Sequence, residues 1–139
     1  MKQKINKTEI IFYQKLGELF YAIAAADKVV KAEEYNALTK LITDDWNVYK
    51  NVNDFYNEAE GYQIEFVFNA LENKEIDAKT CFSNFKNYAR KEPKLFTKET
   101  IELILKTTNT IASAFSSKNK SELIMLANLK LLFQEDLFK

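Results

Sequence analysis

The side chains best placed for chemistry are three carboxylates within a short span, Asp27, Glu33 and Glu34. Together they could offer oxygen ligands to a hard divalent cation such as Ca²⁺ or Mg²⁺, which takes carboxylate and carbonyl donors. The competing account is structural. Asp27 would end one helix and cap the following turn, while Glu33 and Glu34 occupy the first turn of the next helix, where the positive end of its dipole stabilises negative charge. Asp44 and Asp45 lie further along and would join them only through tertiary folding.

Composition removes most other chemistries. Without histidine, neither a Ser-His-Asp arrangement nor a histidine-bearing zinc site can be built. Cys81 is the only cysteine, so there is no intramolecular disulfide and no thiolate cluster. A lone cysteine next to Phe82 on a helix is expected to be a packed or half-exposed side chain rather than a nucleophile. The two glycines, Gly17 and Gly61, are too far apart to form a phosphate-cradling loop.

Two amphipathic helices must position the acidic span. In the first, from about Thr8 to Ala26, Phe12, Leu16, Leu19, Phe20 and Ile23 recur at helical spacing, with Gln14, Lys15 and Glu18 on the other side. It ends in Ala24, Ala25 and Ala26, whose small side chains allow a neighbouring backbone to come close. The second begins near Lys31 and takes its apolar face from Tyr35, Leu38, Leu41 and Ile42.

Ala26-Asp27, the hydrophobic Val30 and the acidic Glu34 stand in an order that resembles the motif of the tellurite-resistance TerB-like family. In that family Ala-Asp-Gly, a spacer containing a hydrophobe, and Glu join two helices; Lys28 stands where the family usually has Gly. The resemblance implies an all-helical fold built from two related hairpins, and divalent-metal binding at Asp27 and Glu34. A shift of 88 positions gives an internal echo: Ile23-Ala24-Ala25-Ala26 falls on Ile111-Ala112-Ser113-Ala114, Glu34 on Glu122, Leu38 on Leu126 and Leu41 on Leu129. Asp27 is answered by Phe115 and Val30 by Lys118, so the second copy lacks a matching ligand.

At 139 residues the chain has the length of one domain. Its 47% hydrophobic content, with 11 Phe and 7 Tyr but two Gly and one Pro, suits long helices joined by short turns. The formal net charge is zero but unevenly spread. Asp27 to Glu65 holds nine acidic and four basic residues, and Lys79 to Lys106 seven basic and three acidic. Such a balance argues against a dedicated nucleic-acid binder, whose affinity comes largely from a basic excess. No apolar run approaches the ~20 residues that span a bilayer, and Met1 to Lys7 lacks the apolar region of a secretory leader. A soluble, cytoplasmic protein is expected.

Further along, Val48 to Glu60 has little periodicity and is expected to be irregular, with a short helix around Asn53 to Glu58. Ile64, Val67, Phe68 and Leu71 predict a helix from Gly61 to Asn73. Asp77 is a candidate N-cap for the next, with Ala78, Phe82, Phe85 and Ala89 on one stripe and Glu92-Pro93 as its stop. Thr97 would cap a helix presenting Ile101, Ile104, Leu105, Thr108, Ile111, Ala112 and Phe115. Asn119 and Glu122 resemble a capping box for the last helix, whose Leu123 to Ala127 and Leu131 to Phe133 cover most of its circumference. A helix apolar all round sits centrally in a bundle, or else turns one side to a second subunit.

The sequence therefore predicts a single all-α domain, a TerB-like bundle of about six or seven helices with an internal pseudo-duplication. The expected function is a non-enzymatic accessory or interaction domain that binds a protein partner, with Ca²⁺ or Mg²⁺ at Asp27, Glu33 and Glu34 as a candidate ligand. Two alternatives stand beside it. One is a metal-dependent enzyme acting on a phosphorylated ligand. The other is a structural homodimer through the last helix, broken by charge at Leu126 or Leu132. Trp46, Tyr49, Phe55, Tyr56 and Tyr62 are candidate core aromatics or, if exposed, a partner surface. Lys79, Lys86, Arg90, Lys91 and Lys94 would form a solvated basic face or touch phosphate or an acidic partner.

Overall fold

The computed structural model describes residues 7–26, 36, 40, 57–74, 76–113 and 120–138. Among them are five α-helices and no strand: α1 (Lys7–Ala24), α2 (Asn57–Lys74), α3 (Ala78–Lys91), α4 (Lys98–Ala112) and α5 (Lys120–Phe133). Short 3₁₀ turns at Pro93–Leu95 and Asp136–Phe138 follow α3 and α5. The all-helical expectation holds. Of the helix expected from Lys31 to Ile42, only Asn36 and Lys40 are described, both helical and exposed. No helix among the described residues is long and apolar enough to cross a membrane.

The central helix is α1, not the last one. It packs against α2, α3, α4 and α5. Phe12, Tyr13, Leu16, Leu19, Phe20 and Ile23 form the expected stripe, but from Leu19 to Ala25 every residue is buried. One face of α1 cannot serve four neighbours, so its second half is enclosed all round. α1 and α2 approach closely at Gly17, where an added Cβ would lie 2.5 Å from the Ile64 carbonyl oxygen and 3.1 Å from Val67 Cβ. Only a residue without a side chain lets α1 and α2 approach to this distance.

Local signals set the helix boundaries in the second half. The Thr80 amide donates to Asp77 Oδ2 at 3.0 Å, satisfying one of the free donors of α3. The helix stops before Pro93, and the Glu92 amide donates to the Tyr88 carbonyl at 3.0 Å. Thr97 repeats the device for α4, accepting from the Thr100 amide at 3.2 Å. By contrast, α2 starts at Asn57, before the expected Gly61 and within the segment expected to be irregular. As a whole α2 packs against α1, and most helical stability in proteins comes from such packing rather than from propensity.

α4 buries Thr100, Thr107 and Thr108 beside Ile104, Ile111 and Ala112. The threonines lose no hydrogen bonds by this, since Thr107 Oγ1 donates to the Leu103 carbonyl at 2.8 Å and Thr108 Oγ1 to the Leu105 carbonyl at 3.1 Å. At the 88-residue offset these positions match the stripe of α1. Phe12, Leu16, Leu19, Phe20, Ile23 and Ala24 are buried in α1, as are Thr100, Ile104, Thr107, Thr108, Ile111 and Ala112 in α4. Both helices end at the equivalent alanine, Ala24 and Ala112.

Candidate functional site

Approaching the acidic turn, α1 closes with Ala24 fully buried, and the Ala25 amide donates to the Tyr21 carbonyl at 2.8 Å. The turn at Ala25 and Ala26 follows. Asp27, Glu33 and Glu34 lie outside the described residues, as do Lys28, Val30, Asp44, Asp45, Phe115, Lys118 and Asn119. Trp46, Tyr49, Phe55 and Tyr56 are also outside them, and Tyr62 is described only as backbone within α2. Among the described residues, no three His, Cys, Asp or Glu side chains gather as they would around a metal ion.

Cys81, on the core face of α3, is buried. Burial, reinforced by the nearby carboxylates of Glu18 and Asp77 and opposed by Lys15, pushes its thiol up to about 11. A thiol held protonated is neither nucleophile nor metal ligand at neutral pH. Beside it, Glu18 is engaged from two sides. Lys15 Nζ lies 3.2 Å from Oε1, and Asn84 Nδ2 donates to Oε2 at 3.0 Å, tying α1 to α3. These polar groups fasten two helices together.

An aromatic cluster packs around the connection that follows α3. The Phe96 ring lies 5.4 Å from Phe12, 5.8 Å from Phe85 and Phe133, and 6.0 Å from Phe138, centroid to centroid. Sequence periodicity misses Phe96 because it stands in a connection. Its position immediately before the Thr97 cap is where a hydrophobic staple residue belongs, and that was the available signal. Tyr88 packs edge-on to Phe96, with its hydroxyl buried and without a hydrogen-bond partner among the described residues.

The basic residues of α3 and of the turn after it lie at the surface. Lys79, Arg90, Lys91 and Lys94 are exposed. Lys86 Nζ lies 5.3 Å from the Phe82 ring centroid, while Arg90 grips Glu135 through Nε at 3.1 Å and Nη2 at 2.7 Å. That fork holds the chain after α5 against α3.

The clearest surface feature is α5 itself. Met125, Leu126, Leu129, Leu132 and Phe133 face the core, together with Glu122 in the first turn, only 2% exposed. On the opposite side Leu123, Ile124 and Leu131 are 48%, 53% and 61% exposed, with the exposed Ala127 between them. Leu137, just beyond the helix, is exposed as well. The all-round apolarity of this helix is therefore two stripes, one core and one surface. Leu126 and Leu132, expected at a subunit seam, belong to the core stripe. Compared with known proteins, the chain matches no family model, no curated protein and no solved structure.

Proposed function

We propose that this chain is a non-enzymatic interaction domain, a cytoplasmic accessory module of the TerB-like kind, which docks a protein through the outer face of α5. The observation that carries this reading is the apolar stripe of Leu123, Ile124 and Leu131 on a helix whose other side already fills the core. Exposed leucines scattered singly mean little, but several on one helix stripe mark a binding surface. The matched burial of α1 and α4 and their equivalent ends support the duplicated-hairpin part of the reading. The turn at Ala25 and Ala26 fits an inter-helix turn at Asp27, and there Asp27, Glu33 and Glu34 would offer carboxylates to Ca²⁺ or Mg²⁺. Tellurite resistance does not follow, because function resides in sites and not in folds.

The test is a photo-cross-linking side chain placed at Leu123 and, as a control, at exposed Lys79. Protein adducts are expected from position 123 and should disappear when Ile124→Glu is added. Equal adduct yields from both positions, or none from 123, would sink the proposal. For the cation, titration with Ca²⁺ and with Mg²⁺ should raise the melting temperature of the wild type but not of Asp27→Ala.

A further inference from the structure

We infer that the segment leaving α5, residues 134–138, is a salt-sensitive strap that opens without the rest of the bundle and bares the aromatic surface of Phe96 and Phe133. This holds whatever occupies the outer face of α5. In this structure the strap is shut. The Phe138 ring packs edge-on to Phe133 at 5.3 Å and to Phe96 at 6.0 Å, centroid to centroid. Phe96 and Phe133 are then buried. Phe138 itself is half-buried and Leu137 beside it is exposed, so a single ring does the covering.

The way the strap is fastened makes its opening local. The amides of Gln134, Glu135 and Phe138 donate to the carbonyls of Leu131, Leu132 and Glu135 at 3.1, 3.1 and 3.0 Å, each three residues back. Those bonds give the segment its turn but tie it to no other helix. Its hold on the bundle comes from the Phe138 ring, from its 3₁₀ turn against Pro93–Leu95, and from the fork between Arg90 and Glu135. A segment with so few buried apolar contacts opens at a small fraction of the free energy of global unfolding.

The fork decides what the strap responds to. Its two side chains are 42% and 36% exposed, and Lys86, also on α3, draws on the same carboxylate. An exposed pair of this kind shifts an equilibrium by up to about fivefold. At about 1 M salt, screening acts over ~3 Å and removes most of that attraction. The apolar contact of Phe138 is not screened. Salt therefore loosens the strap while leaving the core of the bundle closed.

Fluorine NMR on the full chain carrying 4-fluorophenylalanine at position 138 provides the test, because a ring packed among aromatics and a ring in water resonate apart. The urea-unfolded chain supplies the open reference. Raising potassium chloride to about 1 M should increase the ratio of open to shut strap by about two- to fivefold, with circular dichroism unchanged. Arg90→Gln should give the same increase at low salt and abolish the salt response. Arg90→Glu should open the strap further, and adding Glu135→Arg to it should bring the ring back towards the shut position. That recovery separates the ion pair from any other role of either residue. A signal that neither salt nor Arg90→Gln moves overturns the inference. So does a signal that moves only as circular dichroism is lost, or a charge swap that recovers nothing.

Discussion

Gly17 sits against the backbone carbonyl of Ile64 so closely that a Cβ on it would lie 2.5 Å from that oxygen. The obstacle is main chain, which cannot swing aside as a side-chain tip would. Gly17→Ala gains up to ~1 kcal/mol of helix propensity but forces α1 and α2 apart, at a cost of roughly 1–3 kcal/mol or more for overpacking. A net loss of stability is expected, read as a lower denaturant midpoint in urea. An unchanged or higher midpoint would mean that the two helices are not in this contact.

Two tyrosines should answer the same substitution oppositely. Tyr21 Oη donates to the Ile76 carbonyl at 2.9 Å, pinning α1 to the α2–α3 connection. Removing it in Tyr21→Phe should cost ~1 to 2 kcal/mol, because the carbonyl loses its donor. The buried Tyr88 hydroxyl has no partner among the described residues. Tyr88→Phe should be neutral or stabilising by up to ~1 kcal/mol. Paired thermal melts check both.

Stability should fall on the alkaline side. Burial, with Glu18 and Asp77 nearby, raises the Cys81 thiol from 9.0 to about 11, and burial with Glu92 raises the Tyr88 phenol from 10.0 to about 12. The folded state holds these protons more tightly than the unfolded one. Their contribution is therefore complete below pH 9 and is lost as pH climbs through 9 to 12. Cys81→Ala should flatten the part of the curve between 9 and 11, and native Cys81 should react with a thiol reagent at pH 8 only as fast as the chain opens.

The two stripes of α5 should separate under a single kind of mutation. Leu126→Glu places a carboxylate in the core, where it has no compensating partner, and should cost several kcal/mol, enough to unfold a marginal domain. Ile124→Glu, on the surface, should change stability by no more than ~0.5 kcal/mol. Circular dichroism and melting distinguish them. A cooperative fold in Leu126→Glu with normal stability would reverse the assignment of the faces.

What was legible in the sequence was mostly local. Asp77, Pro93 and Thr97 act on their own neighbours, so the limits of α3 and the start of α4 follow from residue type. Long-range choices were less readable. All-round apolarity marks α5 as unusual but cannot say which stripe the core takes, since that depends on where α1 lies. Thr100 and Thr107 look polar and were missed as core because periodicity does not register that Thr107 bonds its own helix. Gly17 gave no signal, as its role requires Ile64 opposite. The acidic turn was legible only as three carboxylates in a short span, because Asp27, Glu33 and Glu34 lie outside the described residues.

The enclosure of α1 has a consequence for biosynthesis. Its wrappings are distributed along the chain as far as Phe133, so on the ribosome the greasy run from Leu19 to Ala25 emerges long before the segment that completes its cover. Sequence-distant closure slows folding and prolongs the sticky stage. Nascent molecules halted before α5 should accordingly be clients for holding chaperones, whereas emergence of α5 lets the bundle shut around its first helix.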